Sequence, residues 1–332
     1  MSTRRRRAIL TTVAAIGGLF LFVYAIQRAG VGEIIDGIRD VGWGLVPILA
    51  LGGVRFIIRA EAWRLCTPPA SGVRWADAFK AFLAGDAVGN VTPLGLIASE
   101  PTKLLLLRHH LATRESVASL AIDNILYAGS VLAMLAAGIV VVLATVSLPF
   151  EWQEIGASAL LALVAAAVFG LLALRGFWRS HRGERPPWRE RLAVLRLAAL
   201  AFLTEHSLRF WGAVSLDLLF HAIGVAEAFL VLHWIAADRS PTIAQAIVFE
   251  SLNRAITVAF KFVPFRVGVD EASSGALAPL LGIDFQGGVA LAVVRKVRNL
   301  FWAGVGLAII AVHHAREERA MDRPGSEPAH PT

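Results

Sequence analysis

The chain is 332 residues long, 56% hydrophobic and only 17% charged, with a mean hydropathy of +0.63. Soluble domains carry roughly 25% charged residues, so this composition places the chain among polytopic membrane proteins. The net charge of +7 does not point to nucleic acid, because Arg and Lys cluster beside apolar runs as inward-facing loops do, with no nucleic-acid reading motif, and the single cysteine, Cys66, excludes an internal disulfide and a multi-cysteine metal site.

Arg4 to Arg7 precede an uncharged run of 19 residues, 8–26, long enough to cross about 30 Å of hydrocarbon. No A-x-A-like cleavage site follows it, so it is read as a retained first span with a cytoplasmic N-terminus. Residues 27–42 set Glu33, Asp36 and Asp40 against two Arg, which fits an external amphipathic segment. A second span covers 42–58 and ends in Arg55, Arg59 and Arg64 with Trp63, a pattern of interfacial anchors. Arg59 and Arg64 are read as snorkelling to cytoplasmic headgroups, with phosphate binding as the alternative.

Residues 73–115 cannot form an ordinary span, because Asp77, Lys80, Asp86, Pro93, Glu100, Pro101, Lys103 and Arg108 interrupt every 18-residue window. A third span, 116–148, has Asp123 and Asn124 in its first turns, and an acidic outer loop follows at 151–154. The fourth span is 155–174. Residues 175–191 then hold six Arg against two Glu, which makes a cytoplasmic linker by the positive-inside rule. This linker divides a single transmembrane domain, 1–315, into halves of about 8–174 and 192–315.

Residues 192–236 are long enough for two spans but include Arg196, Glu205, His206, Arg209, Asp217, His221 and Glu227. Such groups are expected to face the bundle interior or an interface. The next span, 241–262, carries Glu250, Asn253 and Arg254, and the i,i+4 spacing of Glu250 and Arg254 brings them together on one face. A last span at 287–312 carries Arg295, Lys296, Arg298 and Asn299. The polar tail, 316–332, is expected to be disordered.

Two broken stretches stand out, 90–108 and 262–275. Each offers a proline, a glycine and then a carboxylate: Pro93, Gly95 and Glu100 in the first, Pro264, Gly268 and Glu271 in the second. Helix breakers and acids between long apolar runs persist only where they line protein or water. Both are therefore read as re-entrant hairpins, with a peripheral cytoplasmic loop as the alternative for the first. A count of about eight spans makes them enter from opposite faces, the inverted-repeat arrangement of transporters whose sites lie where broken helices meet.

The fold expected is thus all-α, with about eight transmembrane helices and two re-entrant hairpins. Arg254, Lys261, Arg266, Arg295, Lys296 and Arg298 are the basic groups suited to a phosphate, and Glu100 and Glu271 suit an amine or a coupling proton. Lys103 falls beside Glu100 if a helix resumes at Pro101, and the positive end of that helix then points into the break. The candidate substrate-binding residues are Pro93, Gly95, Glu100, Lys103, Glu250, Arg254, Pro264, Gly268, Glu271, Arg295, Lys296 and Arg298.

An intramembrane enzyme is disfavoured, because the nine His are scattered and neither H-E-x-x-H nor G-x-S-x-G occurs. No metal, cofactor or catalytic residue is expected. The rival to transport is a non-transporting scaffold or an accessory subunit of envelope biosynthesis, since broken helices can also be structural.

The segments RAEAWRL (59–65), GNVTPLGLIASEPTKLLLLR (89–108), FVPFRVGVDEASSGAL (262–277) and VVRKVRNLFW (293–302) resemble the flippase-like transmembrane family named for the membrane region of lysylphosphatidylglycerol synthase. The resemblance runs from about residue 8 to residue 312. It implies an eight-span fold that moves a membrane lipid between leaflets. The lipid expected is amphipathic, anionic or zwitterionic, the span count from an inside N-terminus puts both termini on the cytoplasmic side of a bacterial inner membrane, and a homo-oligomer or an envelope-biosynthesis partner is the expected assembly. The resemblance maps Pro93, Gly95 and Glu100 to the first hairpin and Pro264, Gly268 and Glu271 to the second. The chain departs from the family at Ser99, where a Gly-Glu pair is common. With no soluble domain after Ala315, the aminoacyl transfer of the synthase is expected to be absent.

Overall fold

The computed structural model describes residues 41–92, 95–147, 149–175, 200–235 and 240–321, together with Gly32 and Arg39. The expected first span, most of the 27–42 segment, Pro93, most of the basic linker, Arg196 and the 322–332 part of the tail lie outside the described residues. What is described is helical, with no strand.

In chain order the helices are α1 (Leu45–Cys66), α2 (Trp75–Val91), α3 (Gly95–Leu107), α4 (Thr113–Thr145), α5 (Phe150–Arg175), α6 (Ser207–Ile235), α7 (Ile243–Ala259), α8 (Val269–Leu277) and α9 (Phe285–Met321). Among the described residues, four segments are long and apolar enough to cross a membrane: Gly42–Cys66, Thr113–Thr145, Phe150–Gly170 and Ser207–Ile235. This is a polytopic all-α membrane protein.

Several boundaries differ from the sequence reading. The second span does not end near residue 58: α1 continues to Cys66, because Arg55 and Arg59 point into protein and not to an interface. Of the 192–236 stretch, 192–199 lie outside the described residues, 200–205 are helical, and α6 follows as an unbroken helix of 29 residues whose polar positions Asp217, His221 and Glu227 are buried. Those three sit on the side facing α1, α4, α7 and α9, which is why an apolar helix tolerates them.

Chain direction follows from end-to-end contacts. One end of the bundle is built on Trp63, Val73, Ala78, Leu107, Leu111 and Leu120, so the end of α1, both ends of the α2–α3 pair and the start of α4 lie together. Arg209, at the start of α6, joins them by donating from Nη2 to the Arg64 carbonyl at 3.1 Å. The other end gathers Val41, Leu45, Trp234, Ile235, Leu277, Leu281 and Ile283. The two faces of the bundle are thus tied by burial of apolar side chains, each worth about 1.5–3 kcal/mol when fully withdrawn from water.

Between these ends the shorter helices meet. α2 and α3 form a hairpin whose base is at the first end. α7 and α8 form a second hairpin, whose base is at the other end, where the Gln245 side chain donates to the Leu281 carbonyl at 2.7 Å. Ala87 and Val91 of the first hairpin pack against Phe265 and Val267 at the turn of the second, with Leu300, Ala303 and Leu307 of α9 alongside. The two tips therefore approach from opposite ends and touch. Within the segment 241–262, α7 covers Ile243–Ala259 and forms the first arm of this second hairpin.

α5 packs chiefly on α4 and leaves Leu161, Val164, Val168 and Phe169 exposed. In a membrane such an apolar surface needs no partner other than lipid tails.

Candidate functional site

Local sequence sets the geometry of each tip. In the first hairpin, Gly95 opens α3, and a Cβ there would collide with the Gly89 carbonyl of α2. The arms can close only because neither glycine has a side chain. Gly95 thus serves the packing of the hairpin. α3 starts at Gly95, not at Pro101 as expected: Pro101 lies inside the helix on its exposed side, where the missing backbone donor faces outward. The N-terminus of α3 still points into the break. Glu100 accepts from Lys103 Nζ at 3.0 Å, as the three-residue spacing implied.

In the second hairpin Pro264 starts a short 3₁₀ turn. Phe265 and Arg266 follow with φ of 48° and 49°, and Gly268 has φ of 83°. Two successive non-glycine residues in the left-handed region cost free energy and persist only where packing over-determines them. Here Phe265 is buried against the first hairpin. Gly268 donates its N–H to Glu271 Oε2 at 2.9 Å, so Glu271 caps α8. Its other oxygen pairs with Lys296 of α9. Arg266 pairs with Asp270 at 3.2 Å.

Glu100 and Glu271 are therefore not in direct contact, and each is held by its own lysine. The charges between them are linked step by step: Asp270 lies in the field of Arg266, Lys296 and Glu271. Lys261 at the second tip lies in the field of Lys103, Glu100, Asp86 and Arg266, and Asp86 feels Lys103, Arg266, Lys261 and Arg298.

Deeper in the bundle lies a second set of charges that the sequence reading only half anticipated. Arg55 and Arg59 are one helical turn apart on α1, and Asp123, Tyr127 and Ser130 fall on one face of α4. Arg59 donates from Nη2 to Asp123 Oδ2 at 2.8 Å and from Nη1 to Asp217 of α6. Arg55 donates from Nη1 to Glu227 at 3.3 Å and from Nη2 to Glu250 at 3.2 Å. Glu250 also faces Arg254 Nε at 3.1 Å and accepts from Arg295 Nη2 at 2.8 Å. Arg298 pairs with Glu227.

All nine of these Arg, Asp and Glu side chains are buried. Arg55 lies over the Phe220 ring at 4.2 Å and Arg59 over the Tyr127 ring at 4.3 Å, contacts that favour desolvated guanidinium groups. Tyr127 Oη also accepts from Arg254 at 3.1 Å, and Ser130 Oγ is 3.1 Å from His221 Nε2. Snorkelling of Arg59 to headgroups is thus overturned: the side chain turns inward because Asp123 and Asp217 wait there.

Of the candidates, Glu250, Arg254, Arg295 and Arg298 meet in this core, while Gly95, Glu100, Lys103, Pro264, Gly268, Glu271 and Lys296 line the tips. Missed were Arg55, Arg59, Asp123, Asp217 and Glu227. A signal for them existed, since three acids deep in apolar runs require cationic partners. Among the described residues no group of three His, Cys, Asp or Glu is placed to hold a metal ion.

The family described as Lysylphosphatidylglycerol synthase TM region matches residues 9–307. No curated protein and no solved structure matches the chain.

Proposed function

The chain belongs to the family of the lysylphosphatidylglycerol synthase TM region, and from that premise we propose that it carries the headgroup of a membrane lipid between leaflets, through the zone where its two hairpin tips meet. The observation that carries this reading is the contact of Phe265 with Ala87 and Val91, two interrupted helices meeting beside buried charge. Such breaks are tolerated at membrane depth only against protein or water, and broken helices that meet near the midplane are the architecture of alternating-access sites.

A headgroup in bare hydrocarbon is prohibitively costly. Lys103, Lys261, Arg266 and Lys296 at the tips supply charge to replace its water, and the carboxylates Asp86, Glu100, Asp270 and Glu271 keep that zone near neutral when no lipid is present. On this reading the hairpins are re-entrant and enter from opposite faces. The basic 175–191 segment sets the orientation, with its end of the bundle cytoplasmic in a bacterial inner membrane. The role is transport and not catalysis.

The test is exchange of a fluorescent phospholipid between leaflets of proteoliposomes. Purified protein is expected to accelerate exchange over empty vesicles, and Glu100→Gln or Glu271→Gln to slow it at least tenfold. A wild-type rate equal to that of empty vesicles, with the protein folded and inserted, removes the proposal.

A further inference from the structure

The deep charge cluster does not balance. Arg55, Arg254, Arg295 and Arg298 surround Glu227 and Glu250, all six buried, so four positive charges face two negative ones. The adjoining Arg59 with Asp123 and Asp217 carries one surplus negative charge, which leaves the core as a whole with one positive charge unmatched. Arginine cannot relieve this by losing a proton.

The hydrogen bonding is also incomplete. Buried Arg55 Nε and Arg295 Nε donate to nothing, Arg254 Nε meets Glu250 only as an ion pair at 3.1 Å, and Asp217 Oδ2 and Glu227 Oε1 accept from nothing. Buried donors on charged groups are normally satisfied, and an orphan costs its full desolvation penalty. Arg298 of this cluster also stands in the field of Asp86 on the first hairpin.

On the transport reading above, we infer that this cluster is the resting site for the phosphate of a net-anionic phospholipid. A single phosphodiester neutralises the surplus charge, and its oxygens accept from the Nε–H groups of Arg55 and Arg295. Guanidinium forks match phosphate geometry and are only weakly hydrated, which suits them to a desolvated site. A headgroup hydroxyl can donate to Glu227 Oε1. A zwitterionic headgroup leaves the core as positive as before, and a cationic one makes it worse, so headgroup charge is the basis of selection.

Ligand-dependent thermal stabilisation of the purified full chain in non-ionic detergent reads this directly. The probes are dioleoyl-phosphatidylglycerol, dioleoyl-phosphatidylcholine and inorganic phosphate, in about 0.5 M NaCl to screen attraction to the exposed surface. Phosphatidylglycerol is expected to bind at least fivefold more tightly than phosphatidylcholine. Arg295→Gln is expected to abolish that preference and Arg295→Lys, which keeps the charge, to retain part of it. If the glutamine variant does not fold, the wild-type comparison with the lysine variant decides.

Equal stabilisation by the two lipids, or a preference that survives Arg295→Gln, overturns the assignment. Inorganic phosphate stabilising as well as phosphatidylglycerol overturns its lipid part. A preference in binding without leaflet exchange removes the transport role and keeps the site, while exchange without preference does the reverse.

Discussion

Arg59 holds Asp123 and Asp217 at once, so one guanidinium on α1 joins α4 to α6. Arg59→Gln leaves two buried carboxylates with no cation between them. Removing one partner of a buried ion pair costs about 3–5 kcal/mol, and this change is expected to reach the upper part of that range. Thermal unfolding in detergent measures it. The triple change Arg59→Met, Asp123→Asn, Asp217→Asn is expected to recover most of the loss, because it removes the charges together.

Gly224 of α6 is the point at which Glu250 comes closest to a neighbouring backbone. A Cβ there would fall 2.6 Å from Glu250 Cδ, and Glu250 cannot retreat without leaving Arg55, Arg254 and Arg295. Gly224→Ala is therefore expected to destabilise by about 1–3 kcal/mol, the cost of overpacking at this close contact. Gly129→Ala, in α4 with nothing within 4 Å of the new Cβ, is expected to stabilise by about 0.5–1 kcal/mol through helix propensity alone. Opposite signs for the two, read by the same melting experiment, check that space and not composition decides.

The hairpin arms give a local counterpart. Gly95→Ala forces the first hairpin open, because its Cβ meets the Gly89 carbonyl. Limited proteolysis is expected to cut between α2 and α3 in this variant and not in the wild type, and leaflet exchange is expected to fall with it.

At the base of the same hairpin, outside the four long apolar segments, Arg74 donates from Nε to Asp77 at 2.9 Å. That hydrogen bond holds the Asp77 carboxyl below the usual carboxylate range. With a depressed folded-state value, the contribution to stability is present above the ordinary aspartate value and is lost as pH falls through the folded one. The pair is solvent-screened, so Arg74→Ala is expected to leave stability at neutral pH nearly unchanged and to flatten the acid limb of the stability profile at about pH 4 and below.

Much of this was legible in the sequence. The helical class, the two interrupted stretches, the Glu250 and Arg254 pair and the Glu100 and Lys103 pair all follow from spacing and from the cost of charge in hydrocarbon. Arg55 and Arg59 were misread because a basic residue near the end of an apolar run looks the same whether it turns out to headgroups or in to a carboxylate. Only the tertiary packing of α1 on α4 and α6 decides between these. Pro101 misplaced the start of α3 for a similar reason: proline favours a first helical turn, but on an exposed face inside a helix it loses only one backbone bond.

The central claim is that a headgroup passes where the two tips meet, so the tips must be able to part. Ala87→Cys with Phe265→Cys, in a Cys66→Ser background, allows a short thiol cross-linker to bridge them in proteoliposomes. Leaflet exchange measured before cross-linking, after it and after release by a reductant is the most direct test. The account predicts that exchange stops on cross-linking and returns on release; exchange that continues unchanged in fully cross-linked protein would contradict it.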